Sequence, residues 1–442
     1  MKAGRTFVLL IGGLASPLFA GGPGAETAAD EDVRDLVEKQ AKQIERLEGE
    51  VSRLKEHQAA SRASALEEDI QLYLADTETD RRDSRGTIGS GAFGQRVRVG
   101  GYISLEFRDN GDDSNSFFDA HRLVPKIQAD IAEGITFETE IEIEGGGADV
   151  SFLSGNEILV EYAEIRFEII EDKLTFKVGL VLIPWGRFNR FHDDPLNDLT
   201  DRPLVSRHVG ATAFDQPGIG AEGTLEFGDG WFLDYDLALV QGFDDGFDTA
   251  NGVRGARQSF RADNNNNKQV FGRFVVSPPV QHLDVLEFGA SFAYGKHDPA
   301  GDLTNYGYAL EVFLKKGRFE MTGEFMTLRV EQAAGAPASA PRRLSGWYVE
   351  FAYHIFPAGW RGKHALLTDE STFTFVVRVE DIDLNHSTTG TEFRDDLQQV
   401  SIGFNFRPVE RTVFKVSYTF VDSEQPGTSG RDMVVVSWAS YF

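Results

Sequence analysis

From Arg96 onward the chain divides into about sixteen runs of roughly ten residues in which apolar and polar side chains alternate. The connections between them are short and long in turn. A period of two belongs to an extended strand, whose successive side chains point to opposite faces. About ten residues is also the span of a tilted strand crossing a bilayer. Short turns include Ala132-Glu133-Gly134, Glu171-Asp172-Lys173, Gly228-Asp229-Gly230 and Lys316-Gly317. Between them stand long polar connections such as Gly145–Glu157, Pro184–Gly218, Gln241–Lys268 and Ile382–Leu397. Packed sheets have no reason to sort loops by length. An all-β, up-and-down antiparallel transmembrane β-barrel does, with turns at one rim and loops at the other. Pro357–Ser371 breaks the order, being long where a turn is due, so it is either an ordered cap or a sign of a misplaced strand.

The two faces of each run support a wet interior. Ile135, Phe137, Ile141 and Ile143 oppose Thr136, Glu138, Glu140, Glu142 and Glu144; Phe414, Val416, Tyr418 and Phe420 oppose Lys415, Ser417 and Thr419. A dry core could not hold so many carboxylates without large desolvation costs, whereas a barrel lumen can. The Glu stripe needs cations beside it. With Gly134 left-handed in the preceding turn and Ile131 opposite Ile135, Lys126 falls opposite Glu140 and Arg122 opposite Glu144. The last run, Met433–Phe442, puts Val434, Val436, Trp438 and Phe442 on one face, as suits a lipid-facing strand ending in a ring at the interface.

Composition narrows the function. The 442 residues carry a formal charge of -26, no Cys, 46 Gly and 35 Phe. An acidic chain is a poor partner for nucleic acid, and the absence of Cys excludes disulfides and thiolate metal sites. Residues 1–25 read as a signal peptide: Lys2 and Arg5 precede the apolar stretch Phe7–Leu14, which is too short to span a membrane. Within 26–75, Val37, Ile44 and Val51 form one seam of a heptad and Val33, Gln40, Leu47 and Leu54 the other. That segment reads as a coiled coil, which could meet peptidoglycan or a periplasmic partner. Residues 76–95 read as a linker, and 96–442 as the barrel.

The third long connection is the candidate constriction loop. It carries Arg187, Arg190, His192, Asp193, Asp194, Asp198, Arg202 and Arg207, mixed charges that set a transverse field if the loop folds inward. Its apolar Leu196, Leu199, Leu204 and Val205 suggest packing rather than solvation. The facing wall is read as Lys126, Glu138, Glu140, Glu142, Glu144, Arg166 and Lys177. The aspartates match no defined calcium loop, no His spacing suits a metal, and no Gly-x-Ser-x-Gly or His-Glu-x-x-His motif occurs. The reading therefore assigns no cofactor, no metal and no catalysis. Gly218-Ile-Gly220-Ala-Glu-Gly223 matches a dinucleotide fingerprint only as text, since it opens a strand and no helix follows.

An exported heptad segment followed by this strand pattern and a terminal Phe resembles a bacterial outer-membrane porin. It is most similar to the phosphate-selective porin O and P family and to porins with an N-terminal coiled coil. The resemblance implies an outer-membrane homotrimer surrounded by lipid, and anion uptake through a pore lined by Arg and Lys. The residues themselves suggest a passive channel for ions and small hydrophilic solutes with a weak cation preference, because wall carboxylates outnumber cations. The alternatives are an anion-selective, phosphate-type porin, a barrel enzyme or a cell-wall tether.

Overall fold

The computed structural model describes residues 96–442 apart from 110, 112–115, 145–156, 259, 261–262, 338–339, 387–395 and 424–431. The expected signal peptide, coiled coil and linker lie outside the described residues. The strands are β1 (Val97–Asp109), β2 (Phe117–Ala132), β3 (Ile135–Glu144), β4 (Glu157–Ile170), β5 (Leu174–Leu182), β6 (Asp215–Phe227), β7 (Trp231–Val240) and β8 (Gln269–Ser277). They continue with β9 (Val285–Lys296), β10 (Thr304–Lys316), β11 (Phe319–Val330), β12 (Arg343–Ile355), β13 (Thr372–Asp383), β14 (Asp396–Val409), β15 (Thr412–Ser423) and β16 (Met433–Tyr441).

All sixteen pair antiparallel with their chain neighbours, and β1 pairs β16 to close the barrel. Closure leaves no sheet edge, so every strand's backbone groups are met by a neighbour, as a bilayer requires. The closing seam sets Tyr102 opposite Tyr441 and Leu105 opposite Trp438. No helix of the described residues is long and apolar enough to cross a membrane. The alternation sorts as expected: Phe118, Ile158, Phe288, Leu310, Phe351, Phe404 and Val436 are exposed on the outside. Glu106, Lys126, Glu140, Lys177, Arg378 and Lys415 are buried within. At the short-turn rim Phe373 lies against Phe356, Phe404, Phe406 and Trp360, an aromatic cluster of the kind that outer-membrane barrels place at the interface.

Four details differ from, or complete, the reading of the sequence. The β2–β3 turn closes one residue further on, with Ala132 opposite Ile135, and Gly134 is left-handed at φ 70°. A bulge at Ile131 absorbs the offset, so Arg122 still faces Glu144 and Lys126 still faces Glu140. β6 starts at Asp215 rather than Ile219, which shortens the third long connection to 183–214. In β4, Glu140 pairs Tyr162 while Ile141 pairs Val160, leaving Glu161 as an extra residue. That bulge turns both Glu161 and Tyr162 to the interior. Finally, the long connection 356–371 holds a 3-10 turn at Ala358–Trp360, and its flanking strands lie where the pattern put them.

Candidate functional site

The connection between β5 and β6 begins and ends on the wall and crosses the lumen in between. Its two legs meet at Ile183 and Phe214, where Ile183 N–H donates to the Phe214 carbonyl at 2.9 Å. Asn189 clamps this base: its Nδ2 donates to the carbonyls of Ile183 and Phe214 at 2.7 and 3.0 Å, and its Oδ1 accepts from Phe214 N–H at 3.0 Å. Gly186 turns the chain inward at φ 78°, with the Glu324 carboxylate where a side chain would stand. Trp185 is fully buried and donates Nε1–H to the Val209 carbonyl at 3.0 Å.

Apolar residues anchor the crossing at separate places on the wall. Leu196 packs on Tyr102, Val124 and Tyr441. Leu199 packs on Ala352 and Val376. Val205 and Val209 join the largest apolar cluster, with Phe214, Phe243, Phe271 and Val253. Phe214 stacks on Phe243 at 5.1 Å, tying the loop to the following long connection. Burying each Leu or Val contributes about 1.5–3 kcal/mol, enough to hold a polar loop in a wet lumen. Residues Leu204–His208 form one short helix, α1, whose first backbone N–H donates to Glu380 Oε2 at 2.6 Å.

The charged residues then sort to opposite walls. Asp193 meets Lys126, and Asp194 accepts from Arg122 at 3.0 Å and from Ser104 at 2.6 Å. Asp198 meets Arg407 and Asn405, and Asp201 meets Arg108. Burial pushes the Asp194 carboxyl up, but Arg122, His121, Lys415 and Arg202 outweigh it and hold the group well below its usual range. On the other side Arg187 pairs with Glu287, and Arg190 with Asp236 and Glu222. His192 is buried between Asn189 and Glu161. The wall residues are held in the same way: Glu142 and Glu144 by Arg122, Glu138 by Arg166, and Lys177 by Glu222 and Asp236. Gly220 opposite Lys177 leaves room for its stem, which accounts for the small residues in that strand.

Two of the loop's arginines are arranged differently. Arg202 and Arg207 border a cavity of about 550 Å³ between the loop, β3, β4 and the connection after β7. Arg254 and Arg257 enter it from that connection, and Arg108 from the end of β1. Arg202 Nε and Nη2 are buried without a hydrogen-bond partner among the described residues. Arg254 is pushed down to about 10 by burial and by Arg257, Arg207 and Arg202. Arg207 is lowered too, by burial first, with Asp201 opposing and Arg202 and Arg108 adding to the effect. Glu142, Glu144 and Glu161 line the facing side. A second space of about 510 Å³ lies near the short-turn rim among Arg96, Asp130, Glu138 and Arg166.

The long connection after β5 thus folds across the inside of the barrel and is anchored on several strands. Residues 94–309 match the family model for phosphate-selective porins O and P. The chain carries a porin barrel of the bacterial outer membrane. A protein of Aquifex aeolicus (strain VF5), itself described only as uncharacterised, is 24% identical over 366 residues, 77% of this chain and 79% of that one. In solved structures the porin barrel resembles an anion-selective porin from Comamonas acidovorans at 14% identity and a TM-score of 0.50, covering 78% of this chain and 99% of that chain.

The loop residues read from the sequence meet wall residues on several different strands and do not converge on one point. Arg187 and Arg190 stand with β7 and β9, far along the wall from the arginine-lined cavity. Sequence reading missed Glu161, Arg108, Arg254 and Arg257. A carboxylate in mid-strand on a face otherwise committed to lipid was the available signal for the bulge at Glu161. Nothing in a 28-residue polar connection, Gln241–Lys268, marked which of its arginines turn inward. On the outer face, Ser345 Oγ, His386 and Asp383 are hydrogen-bonded in series at 2.5 and 2.8 Å. Ser345 is 7% exposed and sits directly opposite Asp383 in the sheet.

Proposed function

We propose that the protein is a passive channel for ions and small hydrophilic solutes, narrowed by 183–214 and preferring anions at the cavity beside Arg202. The observation that carries this reading is the pairing of charge. Wall carboxylates outnumber wall cations, which alone would favour cations. Most of those carboxylates stand within ion-pair distance of a lysine or arginine, and a pair presents little net field to a passing ion. Arg202, Arg207 and Arg254 have no such partner among the described residues. They face Glu142, Glu144 and Glu161 across the cavity, so a solute there meets a transverse field weighted toward positive charge. The description of the matched family, phosphate-selective porins, agrees with this sign. Self-association as a trimer in the outer membrane belongs to the same proposal.

The test is insertion of the refolded full chain into a planar bilayer. Stepwise, ohmic current increments are expected, together with uptake of small neutral sugars in liposome swelling. Folded, inserted protein that carries neither current nor solute would overturn the channel reading in favour of a sealed barrel or a tether.

A further inference from the structure

Where the loop meets β3 and β4, Glu140, Glu161, His192 and Asp193 come together with all four side chains buried. One ligand-capable atom from each of Glu140, His192 and Asp193 lies within 4.8 Å of the others. Glu161 Oε2 is 3.3 Å from His192 Nε2, and Asp193 Oδ1 is 4.0 Å from the same nitrogen.

Two further observations point to a bound cation. The first is the state of the imidazole. His192 Nδ1 lies 2.8 Å from the Asn189 carbonyl, which can only accept, so Nδ1 carries the hydrogen. In neutral imidazole Nε2 is then a lone pair aimed at a carboxylate oxygen. Two acceptors face each other at 3.3 Å, and only a positive charge between them makes the contact favourable. A ring N–H given to a backbone carbonyl, with the other nitrogen turned to carboxylates, is how metal-binding histidines are oriented. The second is unanswered carboxylate oxygen. Oε1 of Glu140 and Oε1 of Glu161 are both buried and have no hydrogen-bond partner among the described residues. The cations nearby are already engaged: Lys126 by Asp193 and Glu140, Arg122 by Glu142, Glu144 and Asp194. Arg202 donates a hydrogen bond to neither Glu142 nor Glu161.

We propose that Glu140, Glu161, His192 and Asp193 bind one divalent cation of the zinc class and thereby tie the inner loop to β3 and β4. An imidazole among carboxylates suits Zn²⁺ or its first-row neighbours better than Ca²⁺ or Mg²⁺, which take oxygen ligands alone. Ligands at about 2.0–2.2 Å from such an ion are about 3.0–3.5 Å apart. The His192–Glu161 contact already has that spacing, and the other groups need to close by about 1 Å. The cavity beside Arg202, which Glu161 borders, supplies the access path. The site fixes the loop whichever ion passes, and it shares Glu161 with the cavity beside Arg202.

The test uses the refolded full chain in detergent with Co²⁺ as the probe. About one Co²⁺ per chain should survive gel filtration, with visible absorption that added Zn²⁺ abolishes. Zn²⁺ should also raise the Tm. His192→Ala and Glu161→Gln should each weaken Co²⁺ binding by about tenfold or more and lose the Zn²⁺-dependent rise in Tm. Heat-modifiable migration on gels reports whether each variant folds; if His192→Ala does not, the isosteric Glu140→Gln takes its place with the same expected loss. Wild type that holds no Co²⁺, or holds as much as the His192→Ala/Glu161→Gln double variant, overturns the proposal. The first result leaves a shared proton between His192 and Glu161 as the positive charge, the second adventitious binding by surface carboxylates.

Discussion

Single residues hold the inner loop in place. Asn189 satisfies both legs of its base, and an alanine there leaves the buried Phe214 N–H without its partner, while the carbonyls of Ile183 and Phe214 each keep one backbone donor. Such a group costs about 1–3 kcal/mol. Asn189→Ala should therefore fold as a barrel but loosen the loop, seen as a larger and noisier single-channel conductance. His208 gives a pH dependence with a defined sign. Burial, then Arg207 and Arg254, push it down to about 4. The unfolded chain binds the proton first, near pH 6.5. Its contribution is thus complete above about pH 6.5 and is lost as pH falls toward 4. Thermal unfolding followed from pH 7 to pH 4 should show a flatter profile for His208→Gln than for wild type, and identical profiles would contradict this assignment.

At the scale of elements, strands were far more legible than loops. Each strand alternates because one face meets lipid and the other water, and that constraint repeats at every second residue. It reaches from the bulged register of β2 and β3 to the pairing of Lys126 with Glu140. It fails where an irregularity breaks the period, as at Glu161, because a bulge inserts one residue without changing composition. The loop was legible in its apolar anchors, Leu196, Leu199 and Val205, but not in the partners of its charges. Which wall Arg187 or Asp194 meets depends on contacts more than 70 residues away in sequence. If the crossing segment is what narrows the pore, replacing 187–208 with a short Gly-Ser linker should raise conductance several-fold while the barrel still folds. Unchanged conductance would mean that the current passes elsewhere.

For the whole molecule, closure and pairing set the behaviour. The barrel supplies its own hydrogen bonding from Val97 to Tyr441, so deleting 26–75 should leave its folding intact. Heat-modifiable migration checks this, and loss of folded protein would make that segment part of the barrel's assembly. The central claim is that paired wall charges cancel and that the arginines of the inner cavity set the sign of selectivity. Reversal potential in a tenfold salt gradient, measured in planar bilayers for wild type and for Arg202→Ala/Arg207→Ala, tests it most directly. The wild type should prefer anions, and the double variant should shift toward cations as the cavity loses two of its unpaired arginines. A cation-preferring wild type whose reversal potential the double variant leaves unchanged would contradict it and return selectivity to the carboxylates of the wall.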